Sequence, residues 1–305
     1  MAEVAHPREV FTYEGGEGVE RAWLDALERG RMHHAWLLTG PEGVGKATFA
    51  YRAARRLLGA RPDPDYGPMG ASPDDPVSRQ VAARSHPDLM VLERAVEDGK
   101  LKKFIPIDQA RRLPEFFSKS PSQAAWRVAI IDAADDMNPN AANAVLKTLE
   151  EPPERGVLFL VSHAPGRLLP TIRSRCRRLA FSGWDEARAA AFVVEHAGVN
   201  LEEGTRLARM AGGAPGRAVA LAEAGALELD RLAHELLRKL PQTDDPALLA
   251  LADGFRKADG PQRFELLFER LADQVHAMAV APDQPTSAAL DRWAAIWERL
   301  SSLPS

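Results

Sequence analysis

Apolar positions in this chain form two patterns, a helical period and short continuous runs. Residues spaced three and four apart predict a helix over 18–30 that closes at Gly30. Its apolar face comprises Val19, Ala22, Trp23, Ala26 and Leu27. The continuous runs are typical of strands that are buried on both faces, as in a parallel sheet. They occupy 35–39, 88–92, 126–132, 157–161 and 177–181. Together these patterns predict an α/β domain.

Helix and loop signals fill the intervals between the runs. The predicted helices are 47–58, 108–117 with Asp108 as its N-cap, and 139–150 with Asn138 as its N-cap and Pro139 as its first residue. The proline- and glycine-rich segment 61–76 predicts an exposed or disordered loop. The polar segment 93–103 predicts a second loop.

Past residue 181 the chain predicts helices without strands. A glycine-rich turn at 212–216 precedes a helix that opens at Arg217. Amphipathic helices follow between 226 and 300, and their apolar faces favour a core within the domain, with an oligomeric helical collar as the alternative. The faces are Leu229, Leu232, Ala233, Leu236, Leu237 and Leu240; Phe264, Leu267, Phe268, Leu271, Val275 and Met278; and Leu290, Trp293, Trp297 and Leu300.

Composition limits where the protein works and what it binds. Its 305 residues, 45% hydrophobic and 27% charged, are typical of a globular protein of two or three domains. The formal charge of −4 provides no general attraction to nucleic acid. A single cysteine, an N-terminus without an apolar core and the lack of a long apolar stretch predict a cytoplasmic protein that is neither secreted nor membrane-spanning.

The segment between the first strand and its helix carries a phosphate-binding motif. The pattern G-x-x-x-x-G-K places glycines where the backbone turns tightly, directs amide N–H groups at phosphate oxygens and adds a lysine charge. The strand before it and the helix after it are the context that the motif requires, and a plain glycine-rich turn is the alternative. The candidate nucleotide-binding residues are Gly40, Pro41, Gly43, Val44, Gly45, Lys46, Ala47 and Thr48.

Two positions depart from those of a working ATPase. The residue after Lys46 should carry a hydroxyl for Mg²⁺, yet it is Ala47, and Thr48 points about 100° away on the helix. Asp132 ends an apolar strand as the Mg²⁺-facing carboxylate of a Walker B segment does, with an ordinary strand-end carboxylate as the alternative. Where an AAA+ ATPase carries the glutamate that orients the attacking water, this chain has Ala133. Nucleotide binding is expected to persist, but metal-assisted hydrolysis is not.

Other polar residues leave alternatives open. Ser162 ends the fourth strand at the edge of the sheet where ligands gather. The basic segment 173–178 presents an arginine to a phosphate across a subunit boundary, or it is a solvated surface patch or a strip that contacts nucleic-acid phosphates. Cys176 is expected to be a small buried residue. The adjacent His33 and His34 favour turn packing over metal binding.

The order of these motifs resembles the delta prime family of the bacterial DNA polymerase III clamp loader, a family of AAA+ proteins. The strings that carry the resemblance are H-H-A-W-L-L-T-G at 33–40, N-A-V-L-K-T-L-E-E-P-P at 143–153, S-R-C at 174–176, and the turn at 212–217. It covers most of residues 18–220, and the last third of the chain agrees only in helical character and length.

The resemblance implies a fold and a set of site residues. The implied domains are an AAA+ P-loop NTPase domain with a parallel sheet at 1–181, a small helical lid at 182–224 and an all-α collar at 225–305. Arg175 is implied to be an arginine finger that acts in trans, Ser162 the sensor 1 residue and Arg217 the sensor 2 arginine. ATP or ADP, with or without Mg²⁺, is the implied ligand. Zinc is not expected, because the cysteines of the family's zinc module are missing from 61–86.

The resemblance also implies a function. It is that of a stator, an accessory subunit of DNA polymerase III that helps load the sliding clamp onto primed DNA during replication without hydrolysing ATP itself. The implied partners are the gamma/tau motor subunits and the delta subunit in a hetero-pentamer, with clamp and DNA reached through the complex. The alternative is an active AAA+ ATPase motor subunit of a clamp loader. Ala47 and Ala133 weigh against it, because phosphoryl transfer depends on the groups that they replace.

Overall fold

The computed structural model of the chain describes residues 5–97, 100–239, 245–256 and 260–280. These residues belong to two compact units. The first unit comprises 2–188 together with 212–217, and the second comprises 189–211 together with 218–305. The division into three domains at 181 and 224 stays a prediction.

A five-stranded parallel sheet lies at the centre of the first unit. Its strands are β1 (Ala35–Thr39), β2 (Leu89–Glu93), β5 (Arg127–Asp132), β6 (Gly156–Ser162) and β7 (Arg177–Ala180), in the spatial order β2-β5-β6-β1-β7. The strands predicted from the apolar runs are all present, and the parallel α/β architecture is confirmed. Because the strands are parallel, the loops after β1, β5 and β6 meet at one edge of the sheet.

Helices pack on this sheet through a shared apolar core. Those of the first unit are α1 (Glu17–Glu28), α2 (Lys46–Leu57), α3 (Pro76–Ala82), α4 (Ile107–Arg111), α5 (Leu113–Ser118), α6 (Pro139–Glu150) and α7 (Pro170–Arg175). Leu37, Ile131 and Leu160 of the strands belong to one buried cluster with Val145 of α6 and Ile172 of α7. Burial of each such side chain contributes about 1.5–3 kcal/mol, which fixes the helices on the sheet.

Of the two predicted N-cap residues, one is confirmed and the other is wrong. The Asn138 side chain accepts a hydrogen bond from the N–H of Ala141 at 2.9 Å, so the predicted cap of α6 is confirmed. The prediction for Asp108 was wrong, because the N-cap of α4 is Pro106. Asp108 lies in the first turn instead, where its charge faces the positive end of the helix dipole.

Three segments differ from the prediction, and in two of them the cause is a long-range contact with the buried Arg52. On α1, Ala22 is exposed and Glu20 is buried, because Arg52 Nε donates to Glu20 Oε1 at 2.7 Å. The segment 61–76 is not exposed throughout, since Met69 is buried and Arg52 also donates to a backbone carbonyl of this segment. The predicted loop 93–103 contains two short strands that pair antiparallel, β3 (Val96–Glu97) and β4 (Lys100–Leu101).

Past residue 185, every secondary-structure element in the described part of the chain is a helix. Its helices are α8 (Glu186–Ala197), α9 (Leu201–Met210), α10 (Pro215–Glu223), α11 (Ala226–Lys239), α12 (Asp245–Gly254) and α13 (Gly260–Val280). Leu229 and Ala233 of α11 and Leu267 and Val275 of α13 are buried, as their spacing predicted, whereas Phe264 and Met278 of the same predicted face on α13 are exposed. Leu240 and the helix face at 290–300 lie outside the described residues. Across the described ranges, no helix has both the length and the apolar character needed to cross a membrane.

Candidate nucleotide-binding site

The loop after β1 adopts a conformation that requires glycine. Gly43 and Gly45 have φ of 75° and 98°, in the left-handed region that side chains disfavour. A Cβ on Gly40 would lie 2.3 Å from the carbonyl oxygen of Phe181, and one on Gly43 would lie 2.2 Å from the backbone nitrogen of Arg217. Since α2 begins immediately after Gly45, the unpaired N–H groups of its first turn are available to an anion at the loop.

Lys46 is the first residue of α2, and its side chain turns back to bind the backbone of this loop. Its Nζ donates to the carbonyl oxygen of Gly40 at 2.7 Å and to that of Pro41. The residue is only 2% exposed. Burial lowers the pKa of Lys46 to about 8, although the nearby carboxylates act in the opposite direction. A phosphate group would give this ammonium a charged acceptor in place of two neutral carbonyls.

Asp132 ends β5 at the loop edge of the sheet, as the sequence predicted. Its register partner on β2 is Glu93. Burial, followed by the charge of Glu93, raises the pKa of Asp132 to about 6, while Lys46 acts to lower it. The next residue, Ala133, is buried and has only a methyl group where a water-orienting carboxylate is expected.

Asp135 organises the turn after β6. Its carboxylate accepts hydrogen bonds from Ser162 Oγ at 2.9 Å and from the backbone N–H groups of His163 at 2.6 Å and Ala164 at 3.2 Å. Ser162 is buried and is the register partner of Thr39, the last residue before the glycine-rich loop. The structure therefore places Ser162 beside the candidate phosphate site, and three hydrogen bonds commit Asp135 to this turn.

Arg217 reaches the loop from the start of α10. The backbone N–H of Gly216 donates to the carbonyl oxygen of Gly43 at 2.9 Å, which holds this turn against the loop. Arg217 Nη1 lies 3.9 Å from Glu42 Oε2. The predicted sensor 2 position is thus adjacent to the phosphate loop, with a glutamate of that loop beside it.

Two residues next to this site were missed by the sequence analysis. The ring of Tyr13 lies so close to the loop that a Cβ on Gly45 would be 2.8 Å from its Cε2 atom. His163 directly follows Ser162, and burial together with the charge of Lys46 lowers the pKa of His163. Neither residue belongs to a motif with fixed spacing, so no signal in the sequence marks them.

Arg175, the predicted arginine finger, lies on the surface at the C-terminal end of α7. Its side chain is 37% exposed. Nη2 lies 3.1 Å from Glu150 Oε1, and Nη1 donates to the carbonyl oxygen of Thr171 at 3.1 Å. The guanidinium group is therefore anchored at the surface and not enclosed in the core.

The rest of the basic segment 173–178 contacts the edge of the sheet. Arg178 Nε donates to Thr39 Oγ1 at 2.9 Å, and the guanidinium of Arg177 lies 5.1 Å from the centre of a tryptophan ring on β1. Cys176 is half-buried, where full burial was expected, because it lies at the margin of the core cluster. Burial raises the pKa of its thiol to about 12. Contact of this segment with DNA stays a prediction.

The rings of the histidine pair stack on each other directly before β1. The ring centroids of His33 and His34 are 4.4 Å apart, and Nδ1 of His33 lies 2.8 Å from the carbonyl oxygen of Ala35. Among the residues that the structure describes, no group of three or more His, Cys, Asp or Glu side chains is arranged to hold a metal ion. The observed contacts favour turn packing.

The site fits a nucleoside phosphate better than it fits a catalytic metal centre. The glycine conformations, the helix N-terminus and Lys46 all offer N–H donors or positive charge to phosphate. Asp132 offers one carboxylate toward Mg²⁺, but the methyl groups of Ala47 and Ala133 replace a metal-binding hydroxyl and a base. Nucleotide binding at this loop remains a prediction.

The known proteins that this chain is similar to include several subunits of DNA polymerase III. A family model described as DNA polymerase III, delta subunit, matches residues 16–185. The DNA polymerase III subunit delta' of Pseudomonas aeruginosa is 42% identical over 154 residues, which cover 50% of this chain and 44% of that protein. The delta' subunit of Escherichia coli is 30% identical over 249 residues, covering 81% of this chain and 71% of that protein. The gamma/tau subunit of Mycobacterium tuberculosis is 34% identical over 167 residues, which cover 55% of this chain and 27% of that protein.

These matches differ in how much of each relative they cover. The chain spans less than half the length of the P. aeruginosa subunit that it matches, and more than two thirds of the E. coli subunit. The match to the gamma/tau subunit is confined to about a quarter of that protein. All of the candidate site residues up to Arg175 fall within the segment that the family model matches.

Proposed function

The chain belongs to the family of DNA polymerase III delta prime subunits, and on this premise we propose that it serves as a non-hydrolysing stator of the bacterial clamp loader. It occupies one position in a hetero-pentamer with gamma/tau motor subunits and a delta subunit in the cytoplasm. The complex sets a sliding clamp on primed DNA. The chain is then an accessory subunit of a DNA polymerase and not an independent ATPase.

One observation supports this proposal: the phosphate loop is ordered, but two positions next to it lack the side chains that ATP hydrolysis needs. Gly43, Gly45 and Lys46 keep the conformation and charge that phosphate binding needs. Ala47 and Ala133 lack the hydroxyl and the carboxylate that metal-assisted water attack needs. Asp135 is the first carboxylate after Ala133, and it accepts hydrogen bonds from Ser162 and His163 instead of facing an attacking water.

In this proposal ATP or ADP acts as a structural ligand of the chain. When bound, the nucleotide supplies a polyphosphate anion at the start of α2. Lys46 would then exchange the carbonyl oxygens of Gly40 and Pro41 for phosphate oxygens, and Arg217 would exchange Glu42 for the same charge. The movement of Arg217 would tie the turn at 212–217 to the nucleotide held by the loop, which would stiffen the subunit without any chemical step.

The reactive group of the stator serves another subunit. Arg175 lies at the surface, and a guanidinium has more N–H donors than the two contacts it makes here. Its remaining donors meet the phosphates of ATP that is held by a neighbouring motor subunit. Such a finger stabilises the charge that develops in phosphoryl transfer.

The alternative function is an active motor subunit. Lys46, Asp132 and Arg217 lie at one site, as they would in an ATPase, and the chain is similar to a gamma/tau subunit. Against it stand the two alanines, since each replaces a group on which turnover depends.

Steady-state ATP hydrolysis by the purified chain separates the two functions. We expect the wild-type chain to match its Lys46→Ala variant at background, because neither can orient water. Titration with labelled ATP and ADP, with and without Mg²⁺, then measures binding apart from turnover. A rate on the order of 1 s⁻¹ that disappears in Lys46→Ala would identify an ATPase and overturn the stator function.

A further inference from the structure

We propose that Glu150 is the positioning residue of the arginine finger: it fixes the Arg175 guanidinium on the surface in the orientation in which a neighbouring subunit's nucleotide meets it. The inference rests on the stator function proposed above. It also connects two sequence strings that the function otherwise leaves separate, because Glu150 belongs to N-A-V-L-K-T-L-E-E-P-P and Arg175 to S-R-C.

The contacts of Arg175 restrict its side chain from two directions. Glu150 Oε1 lies 3.1 Å from Nη2, while the carbonyl oxygen of Thr171 accepts from Nη1 at 3.1 Å. Thr171 is the second residue of α7, so its carbonyl oxygen lies one helical turn before Arg175 on the same side of the helix. A long arginine side chain loses considerable rotamer freedom when it is ordered, and these anchors remove much of that freedom before a partner arrives.

The two groups that hold Arg175, the Glu150 carboxylate and the Thr171 carbonyl, belong to helices that are fixed by the apolar core. Leu149, which precedes Glu150, is 3% exposed, and Ile172 of α7 is fully buried. The two belong to the same apolar cluster, so the ends of α6 and α7 are fixed relative to each other. The distance from Glu150 to Arg175 is therefore set by packing and not by the ion pair itself.

The ion pair is suited to orientation rather than to stability. Its side chains are 51% and 37% exposed, and pairs this exposed contribute little to folding. The same exposure leaves the remaining guanidinium N–H groups open toward a partner. Removing the Glu150 carboxylate should therefore loosen the finger without unfolding the subunit.

Reconstituted clamp-loader complexes that contain variant subunits test this role. The variants are Glu150→Ala, Glu150→Gln, Arg175→Ala and, as a matched control, Glu151→Gln, which changes the adjacent exposed glutamate. Each complex is checked for assembly by size, and kcat and KM for ATP are then measured in the presence of clamp and primed DNA. At the one ATP site that the finger serves, we expect Glu150→Ala to lower kcat about tenfold and Glu150→Gln about threefold, with KM unchanged, because misorientation acts on the transition state.

The outcomes distinguish failure of this inference from failure of the proposed function. A large loss in Arg175→Ala, with smaller losses in both Glu150 variants and none in Glu151→Gln, supports the positioning role. Wild-type or higher kcat in both Glu150 variants, alongside a large loss in Arg175→Ala, overturns it and leaves the stator function standing. Equal kcat in Arg175→Ala and wild type instead overturns the proposed function. Should Glu150→Ala not assemble, Glu150→Gln decides by the same criterion.

Discussion

Asp132 shows how a single residue can be poorly placed for stability and well placed for a ligand. Its carboxyl group lies at the end of a buried strand, and burial raises its pKa to about 6. At neutral pH the folded protein must therefore hold an unfavourable negative charge beside Glu93. Strained or destabilising groups of this kind concentrate at functional sites.

Asp132→Asn should stabilise the isolated chain at pH 7.5 by about 1–2 kcal/mol, because the amide carries no charge to bury. A folded-state pKa above the unfolded value means that the wild type loses stability as pH rises from about 4 through 6. The advantage of the variant should therefore vanish near pH 4. Urea unfolding at both pH values measures this. A variant that is less stable than wild type at pH 7.5 would show that the carboxylate has favourable partners.

Asp88 illustrates the opposite case, a buried carboxylate that stabilises the fold. It is fully buried and accepts hydrogen bonds from the backbone N–H groups of Ser122 (2.7 Å), Gln123 (2.7 Å) and Ala124 (3.1 Å). Burial alone would raise its pKa, but these donors and Arg127 together hold the pKa below its usual value. Asp88 thereby fixes the loop that leads into β5.

Asp88→Ala should cost about 3 kcal/mol of unfolding free energy at pH 7, since it leaves buried N–H donors and Arg127 without their acceptor. The lowered pKa means that this contribution is present above pH 4 and is lost as pH falls through the folded-state pKa. The control is Asp108→Ala, at an exposed site, for which we expect about 0.5 kcal/mol or less. Equal losses in the two variants would contradict the role of Asp88.

Among the elements, the glycine-rich loop and the start of α10 depend on each other. Gly43 has a left-handed φ, and its carbonyl accepts from the N–H of Gly216 at 2.9 Å. A Cβ at Gly43 would collide with the backbone of Arg217. The sensor 2 position is therefore set by a glycine of the phosphate loop.

Gly43→Ala should destabilise the chain more than Gly59→Ala does. Both glycines have left-handed φ, of 75° and 96°, but a Cβ at Gly59 would meet nothing within 4 Å. We expect about 1 kcal/mol for Gly59→Ala from backbone strain and about 2–4 kcal/mol for Gly43→Ala from strain and collision together. Unfolding free energies in urea provide the comparison. Equal values would mean that the loop and the turn can separate freely.

The elements that sequence could predict are those defined by local pattern. Continuous apolar runs located the strands of the sheet, and Asn138 with Pro139 located the start of α6 because capping is a local interaction. Long-range partners could not be read in the same way. Glu20 is buried on α1 because Arg52 is its partner, and Met69 is buried in a segment whose prolines indicated exposure.

In the candidate site, the residues that belong to sequence motifs could be predicted, and those outside such motifs could not. The motif spacing located Lys46, Asp132 and Ser162, whose segments the sheet topology brings to one edge, and the hydrogen bond from Gly216 to Gly43 holds the turn before Arg217 against the loop. Tyr13 and Glu150 carry no motif that assigns them a role. Their places follow from how distant segments pack, and that packing is not encoded in any short stretch of sequence.

At the scale of the whole molecule, we propose that this chain and its neighbouring subunit each supply a different part of one ATPase site. The chain keeps a phosphate loop, lacks the groups that activate water, and presents Arg175 at its surface. Its net charge of −4 gives no general attraction to DNA, so contact with primed DNA is expected to depend on the assembled complex. Activity should therefore appear only when the chain is combined with its partners.

ATP hydrolysis by reconstituted complexes that carry Arg175→Ala tests this claim most directly. Arg173→Ala, which removes another exposed arginine of α7, is the matched control. We predict a loss of about 10³-fold at the affected site for Arg175→Ala, little change for Arg173→Ala, and unchanged nucleotide affinity of the isolated Arg175→Ala chain. Equal turnover by Arg175→Ala and wild-type complexes would contradict the account.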